Sequence, residues 1–506
     1  MDSSKQRKWG ALLSYVGIIM NNTISIIYTP FMLQMLGQSE YGLNGTASSF
    51  VSYLSLFSLG IGGSYIRYNA KYRAKNDIEG ERRLNGLFLI IFTVLSFFVL
   101  IGGIIIIFVS KNFLTGSFTT SEITRLQMIM FSMVLNTVFT FIFTVVMMAL
   151  QAYEEYIFLR ICSLISGILT PIINIIILLN GGKAVAISIA TLIIAIICFI
   201  VYFIYAYKKI NLRFIFSRFD KAVFKDIITF SIFLFINSLT DQLTFSTDNI
   251  ILSKLFGTGA VAVYTVGSNF KNYFMSFSTS ISSVFAPKVN MIIAKDGNDE
   301  ELTDLMIRVG RIQFIITSLV LIGFISIGYD FIRLWAGSDY TQAYYIAVLL
   351  LLAIYIPCFQ NVGIEIQKAK NKHQVRSLVY FFIAIFNILL TIPFSLIAGG
   401  VGAAFATFLC LIIGNVVFMN IYYVKGIGLN MIKFWKCILN LLPGMIPAII
   451  VSAIINIFFK ICSYFDVLFM ALLISFIYFF GLWKLSLNDT EKNLLSIKNK
   501  IKRKMK

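Results

Sequence analysis

The stretch FINSLTDQLTFSTDNIIL, residues 235–252, carries two aspartates inside an apolar run. Asn237, Asp241, Thr244 and Asp248 fall at i, i+4, i+7 and i+11, a single stripe along one helix face. The solvent around that helix decides the fold. Of 506 residues, 58% are hydrophobic and 13% charged, and the mean hydropathy is +0.86; soluble domains carry about 25% charged residues. A water-soluble chain of this composition would expose far too much apolar surface. In lipid every backbone polar group is satisfied internally, so spans are helices or closed barrels. The apolar runs are about 20 residues long, enough for a helix to cross roughly 30 Å of hydrocarbon. The chain therefore reads as an all-α, polytopic membrane protein. A charge at mid-span costs at least about 2.5 kcal/mol against lipid, so the stripe faces protein or a water-filled cavity.

Fourteen spans are expected, near 10–36, 43–66, 84–109, 126–150, 157–180, 184–206, 227–255, 260–285, 309–332, 342–366, 377–398, 401–424, 437–459 and 464–485. The first run is too long for a cleavable signal and lacks a small-residue cleavage site. All but seven of the 42 Lys and Arg fall in the termini and alternate loops on one side. Lys111, Arg125, Lys183, Lys254, Arg333 and Lys460 lie opposite, and Lys271 lies within a span. That bias puts both termini in the cytoplasm and accounts for most of the net charge of +19 without nucleic acid. In the tail, Leu494, Ile497, Ile501 and Met505 share one face among lysines, a pattern for a basic amphipathic helix on the membrane surface.

An internal repeat orders the spans. MLGQSEYGLNGTASSF from Met35 matches LFGTGAVAVYTVGSNF from Leu255, and LLNGGKAVAISIAT from Leu178 matches LIAGGVGAAFATFL from Leu396. The offsets lie near 220 residues and keep one order. The expected organisation is an N-lobe over 1–208, a C-lobe over 209–424, two added spans over 425–485 and a basic tail over 486–506. Six spans per repeat make it a parallel one, an arrangement of transporters.

Asp241, Asp248 and, near the end of span 10, Glu365 are candidate ion-coupling acids. Lys271 and Ser268 on span 8, Asn21, Asn22 and Tyr28 on span 1, and Asn361 on span 10 are candidate cavity residues for a substrate. Hydroxyls and amides also pack helices together, so each has a structural alternative. Six cysteines without a CxxC pair and a single histidine, His373, make no metal site. No nucleophile–base pair and no phosphate-binding glycine loop is present, so no catalytic residue and no cofactor is expected.

Three stretches carry a family resemblance: MLGQSEYGL followed by SLGIGGSYIRYNAKYRAKND, then STDNIILSKLFGTGAVAVYTVGSNF, then FIRLWAGSDYTQAYYIAVLLLLAIYI. Within them, Asp248, Gly257, Gly259 and Tyr264 carry one motif, and Leu334, Trp335, Gly337, Tyr340 and Ala343 another. The chain resembles the Wzx-type oligosaccharide flippases, polysaccharide-transport members of the multidrug/oligosaccharidyl-lipid/polysaccharide (MOP) exporter superfamily. The resemblance implies fourteen helices in two lobes in the bacterial plasma membrane. It implies alternating access that moves an undecaprenyl-diphosphate-linked oligosaccharide to the outer leaflet, coupled to H⁺ or Na⁺. The implied partners are that lipid, membrane lipids, and the polysaccharide polymerase and chain-length machinery, with the chain itself a monomer. The alternatives are a drug–cation antiporter, a lipid II flippase and a non-transport scaffold of an envelope assembly complex. The first is disfavoured by a first half without a central acid, and the second by LGQSEYG standing where an arginine- and aspartate-bearing motif is expected.

The charge bias has a direct test. Single cysteines at Ser117 and Gly400, in a chain without native cysteines, should react with an impermeant thiol reagent from outside, and those at Asp299 and Met505 only after permeabilisation. External labelling at 299 would overturn the orientation.

Overall fold

The computed structural model describes residues 3–58, 61–216, 235, 238–295, 297–372, 374–459, 461–488 and 491–492. Asn237, His373 and the proposed amphipathic face of the tail lie outside them. The described regular structure is helical apart from one isolated bridge between Thr115 and Phe118. The helices are α1 (Ser3–Ser52), α2 (Gly62–Ala74), α3 (Ile78–Leu114), α4 (Thr120–Ala152), α5 (Tyr156–Leu179), α6 (Ala184–Lys209) and α7 (Thr247–Ala294). They continue as α8 (Asp299–Ala336), α9 (Gln342–Ala369), α10 (Gln374–Ile412), α11 (Met419–Tyr422), α12 (Met431–Leu439), α13 (Leu442–Phe458) and α14 (Tyr464–Leu485). π-helical turns over Ile413–Phe418 and Tyr423–Ile427 make 374–427 one continuous helical run.

Local chemistry explains several starts. Asp77 caps α3 by accepting from the Gly80 amide at 2.7 Å. Thr119 with Glu122, and Ser463 with Asp466, form reciprocal capping boxes for α4 and α14. Asn298 caps α8, and Asp299, Glu300 and Glu301 place negative charge on its first turn.

Ten described helical segments are long and apolar enough to cross a membrane, eleven if the bent pair Met431–Leu439 and Leu442–Ile455 makes one span. The count differs from fourteen because three segments are 54 to 59 residues long: Val16–Ala74, Ser238–Ala294 and Gln374–Ile427. Each runs through a break, at Gly37, at Gly257 and at Ala398–Gly399. The chain can fold sharply there while flanking helical turns stay bonded, because glycine adopts positive φ without a Cβ clash.

The backbone repeats where the sequence does. Gly37 and Gly257 share φ of 73° and 76°, with ψ of 173° and −167°. Positive φ also recurs at Gly116 and Gly337, Glu154 and Asn371, Gly181 and Gly399, and Asn211 and Gly428. All five pairs are spaced 217 to 221 residues apart. Among the described residues one further positive-φ residue remains, Asn76, and its counterpart position, 296, lies outside them.

Two compact units emerge from packing: Met1–Thr265 with Tyr380–Ala403, and Val266–Val379 with Ala404–Lys506. In the first, α1 packs on α5, and α4 on both α3 and α6. Buried Tyr65 stacks edge-on against Phe88 and donates to Asn85 Oδ1 at 2.6 Å. In the second, α8 packs on α9, and Ile327, Ile455, Ile461, Met470 and Ile474 form an apolar core. Large apolar side chains such as Phe97 and Phe108 on α3, and Phe465 and Phe476 on α14, stay exposed. Lipid rather than water is the solvent those faces fit.

Residues 424–436, read as a loop from sequence, include most of α12. Its Met431, Phe434 and Ile438 are buried at i, i+3 and i+7, while Lys433 and Lys436 stay off that face. The run is too short and too basic to register as a span, yet has the spacing of an amphipathic helix.

A bidentate ion pair fastens the described end of the chain to the second unit. Arg311 donates from Nε to Glu491 Oε1 at 2.6 Å and from Nη2 to Oε2 at 2.8 Å. Burial raises the Glu491 pKa, but the Arg311 hydrogen bonds and the Asn488 amide outweigh it, leaving the carboxyl below its usual value. A lowered folded-state pKa contributes stability that is fully present above the unfolded value, about 4.3, and is lost as pH falls through the folded value. Glu491→Gln should therefore lower the unfolding midpoint in detergent at pH 7, and the deficit should shrink as pH falls below about 4.3. A deficit that stays constant with pH would contradict this account.

Candidate functional site

The opening stripe divides. Asp241 is exposed, whereas Asp248 is 1% exposed. Within the first unit, the Asp248 carboxylate accepts from the Tyr264 hydroxyl on one oxygen and from Thr391 Oγ1, at 3.2 Å, on the other. Thr391 and Asn387 sit one turn apart on α10, both fully buried, and Asn387 Nδ2 donates to the Thr244 carbonyl at 3.2 Å. The next residue, Asn249, donates to Ser49 Oγ at 3.0 Å, and Ser52 donates to Ser246 at 3.1 Å. Span-2 hydroxyls thus meet the Asp248 region, and the carboxylate lies in a buried polar knot. Asn387 and Thr391 were not singled out from sequence. Their i, i+4 spacing in an otherwise apolar run was the available signal.

A second polar site in the same unit is an open groove of about 400 Å³ between α1 and α5. Asn21 and Tyr28 line it, with Ser25 and, from α5, Ser163, Ser166 and Thr170. Asn22 is half-buried on the same turn. The α5 residues were missed because serine and threonine are common in membrane helices.

In the second unit, Lys271 is 5% exposed on α7. Ser278, two turns further on, accepts from Asn361 Nδ2 at 2.8 Å, and its carbonyl accepts from Gln313 Nε2 at 3.0 Å. Ser268, half-buried, precedes Lys271 by one turn on the same face. Glu365 instead pairs with Lys368 at 2.9 Å on the last turns of α9, an i, i+3 pair at the surface. An apolar groove of about 880 Å³ runs between residues 416–425 and α12, with Lys425 and Lys436 at its edges. Among the described residues no three His, Cys, Asp or Glu side chains converge.

Comparison with known proteins adds identity to this geometry. Residues 8–293 match the family model described as polysaccharide biosynthesis protein. No curated protein matches the chain by sequence. Among solved structures it is similar to the lipid II flippase MurJ in an inward closed conformation, at 16% identity and a TM-score of 0.69, covering 94% of this chain and 97% of that one. It is also similar to an inward-facing multidrug-resistance MATE transporter of the MOP superfamily, at 14% identity and a TM-score of 0.60, covering 83% and 99%. A MOP-superfamily transporter from Pyrococcus furiosus matches at 15% identity and a TM-score of 0.55, covering 82% and 96%. The fold is that of the MOP exporters.

The polar knot predicts a graded response. Asp248→Ala removes the acceptor of two buried hydroxyls and should cost about 1–3 kcal/mol of stability. Asp248→Asn keeps an acceptor oxygen and should cost less. Thermal unfolding of the purified variants distinguishes them, and equal midpoints for wild type and Asp248→Ala would remove the knot as a stabilising element.

Proposed function

Because the chain belongs to the polysaccharide biosynthesis protein family, we propose that it moves an undecaprenyl-diphosphate-linked oligosaccharide repeat unit across the bacterial plasma membrane for surface polysaccharide assembly. That family match is the observation that carries the reading. The MOP-exporter fold supports alternating access as the mechanism.

In this reading each double-length segment is two spans joined at its break, which brings eleven spans to fourteen. Six belong to each lobe, divided near residue 208, and two follow residue 425. The one-sided Lys and Arg distribution orients both termini to the cytoplasm. Lys271 draws the diphosphate, while Asn21, Asn22, Tyr28, Ser268 and Asn361 offer hydrogen bonds to the glycan. Asp248 is the best-supported coupling acid, because a carboxylate so buried changes its bonding when it gains a proton or Na⁺. Asp241, exposed two turns before Asp248, is the second candidate acid. Glu365, paired with Lys368 near the end of α9, is the third candidate acid.

A second reading, lipid II flippase, is favoured by the near-complete structural likeness to MurJ, which backs it more directly than it backs a polysaccharide cargo. A drug–cation antiporter has the MATE likeness behind it. All three share alternating access, so the cargo must be read in cells.

Deleting the gene should abolish surface polysaccharide and leave lipid-linked repeat units in the cytoplasmic leaflet. Lys271→Ala should reproduce that defect with the protein still in the membrane, and Asp248→Asn should change the pH or Na⁺ dependence of export. Lipid II accumulation with lysis would favour the second reading. Persistent polysaccharide with raised drug sensitivity would favour the antiporter.

A further inference from the structure

The α1–α5 groove is built from two matched stripes. Asn21, Ser25 and Tyr28 stand at i, i+4 and i+7 on α1, and Ser163, Ser166 and Thr170 at i, i+3 and i+7 on α5. The helices approach closely at one edge, where a Cβ on Gly167 would lie 2.6 Å from Asn21 Oδ1. Beyond that edge they part and leave about 400 Å³, within the usual size range of small-molecule sites, roughly 300–1,000 Å³.

The groove is lined by hydroxyls and an amide, which both donate and accept, and holds no formal charge. Pro171 has no N–H, so the Gly167 carbonyl lacks its usual helical donor. Ser166 donates its proton to the Ser163 carbonyl at 3.1 Å and keeps its lone pairs for a ligand. Asn174, 4% exposed, lies behind the lining beside the Tyr28 hydroxyl and interacts with it. None of the nine lining residues is acidic, basic or histidine. A hydrocarbon tail would leave these groups unsatisfied at membrane depth. Phosphate or carboxylate would find hydroxyl and amide donors there but no cation to balance its charge. The chemistry that fits is a neutral polyol, whose hydroxyls donate. Ile24 and the Tyr28 ring supply apolar surface for the C–H face of a sugar ring.

We infer that the α1–α5 groove is a binding site for a neutral pyranose of the glycan, separate from whatever holds the diphosphate. The inference rests on the flippase reading and deepens it.

The test uses the full chain in lipid nanodiscs and three probes: undecaprenyl diphosphate, the same lipid carrying N-acetylglucosamine, and the same lipid carrying a hexuronic acid. Wild type should bind the N-acetylglucosamine lipid about tenfold more tightly than the bare lipid, the size of one net hydrogen bond or more, with no such gain for the uronic acid. Tyr28→Phe and Ser166→Ala each delete one hydroxyl and little volume, and should collapse that ratio towards one. A second measurement avoids reliance on those variants: a cysteine at position 166, in a chain lacking native cysteines, should be protected from a water-soluble thiol reagent by the N-acetylglucosamine lipid and not by the bare lipid. No preference for the neutral sugar, preference for the uronic acid, or a ratio that survives both variants would overturn the site while leaving the flippase reading intact. Binding of none of the three lipids would overturn both.

Discussion

A polar atom at membrane depth has no water to turn to, so its partner must come from the protein. Asp248 is bound by that constraint. Its carboxylate takes one hydroxyl from sixteen residues away on its own helix and another from 143 residues away on α10. Local helix formation supplies the stripe, but only tertiary packing supplies the second donor, and without it the acid would carry the full cost of its burial. The same requirement brings Asn387 to the Thr244 carbonyl and Asn249 to Ser49. The Asp248 bonds join the start of α7 to Tyr264 beyond its break and to α10, and the neighbouring Asn249 bond adds α1.

Glycine sets how near those faces come. A Cβ at Gly42 would lie 1.9 Å from the Thr258 carbonyl oxygen, so the two backbones touch where no other residue fits. Around that contact Glu122 accepts from Ser39 at 2.7 Å and from Thr258 at 3.2 Å. The turns that deliver these segments carry the recurring positive φ, so Gly37 and Gly257 aim equivalent chain segments in equivalent ways. Repetition in this chain is thus written more strictly in its turns than in its apolar runs, where one aliphatic residue substitutes for another at little cost.

The same contrast explains what could be read in advance. Composition and run length forced an all-helical membrane protein, because lipid admits few alternatives. Spacing placed Thr244 and Asp248 on one buried face, and the glycine pairs emerged as conformational counterparts. The helical stripe could not tell Asp248, buried, from Asp241, exposed, since period alone does not say what lies opposite. Thr391 and Asn387 were illegible as partners because nothing local encodes a contact 143 residues away. Ser163, Ser166 and Thr170 gained meaning only beside α1. The α12 helix was hidden by its lysines, which lower the hydropathy of a segment whose Met431, Phe434 and Ile438 are nonetheless buried.

The proposed alternating access needs two conformations of nearly equal free energy, and in that proposal the Asp248 knot is the element that biases them. Ionised, the carboxylate holds two hydroxyl donors and ties α7 to the 380–403 segment through charge-assisted bonds, roughly twice as strong as neutral ones. Protonated, it becomes a donor itself, and at least one of those bonds must weaken or reverse. Bound to a cation, it shares its lone pairs and loosens both. Either event changes the tie by about the free energy of one strong hydrogen bond, enough for a tenfold shift between states and far too little to unfold the protein. A buried acid bonded across two helices is therefore an expense of folding and, in the proposed mechanism, a means of moving the folded state.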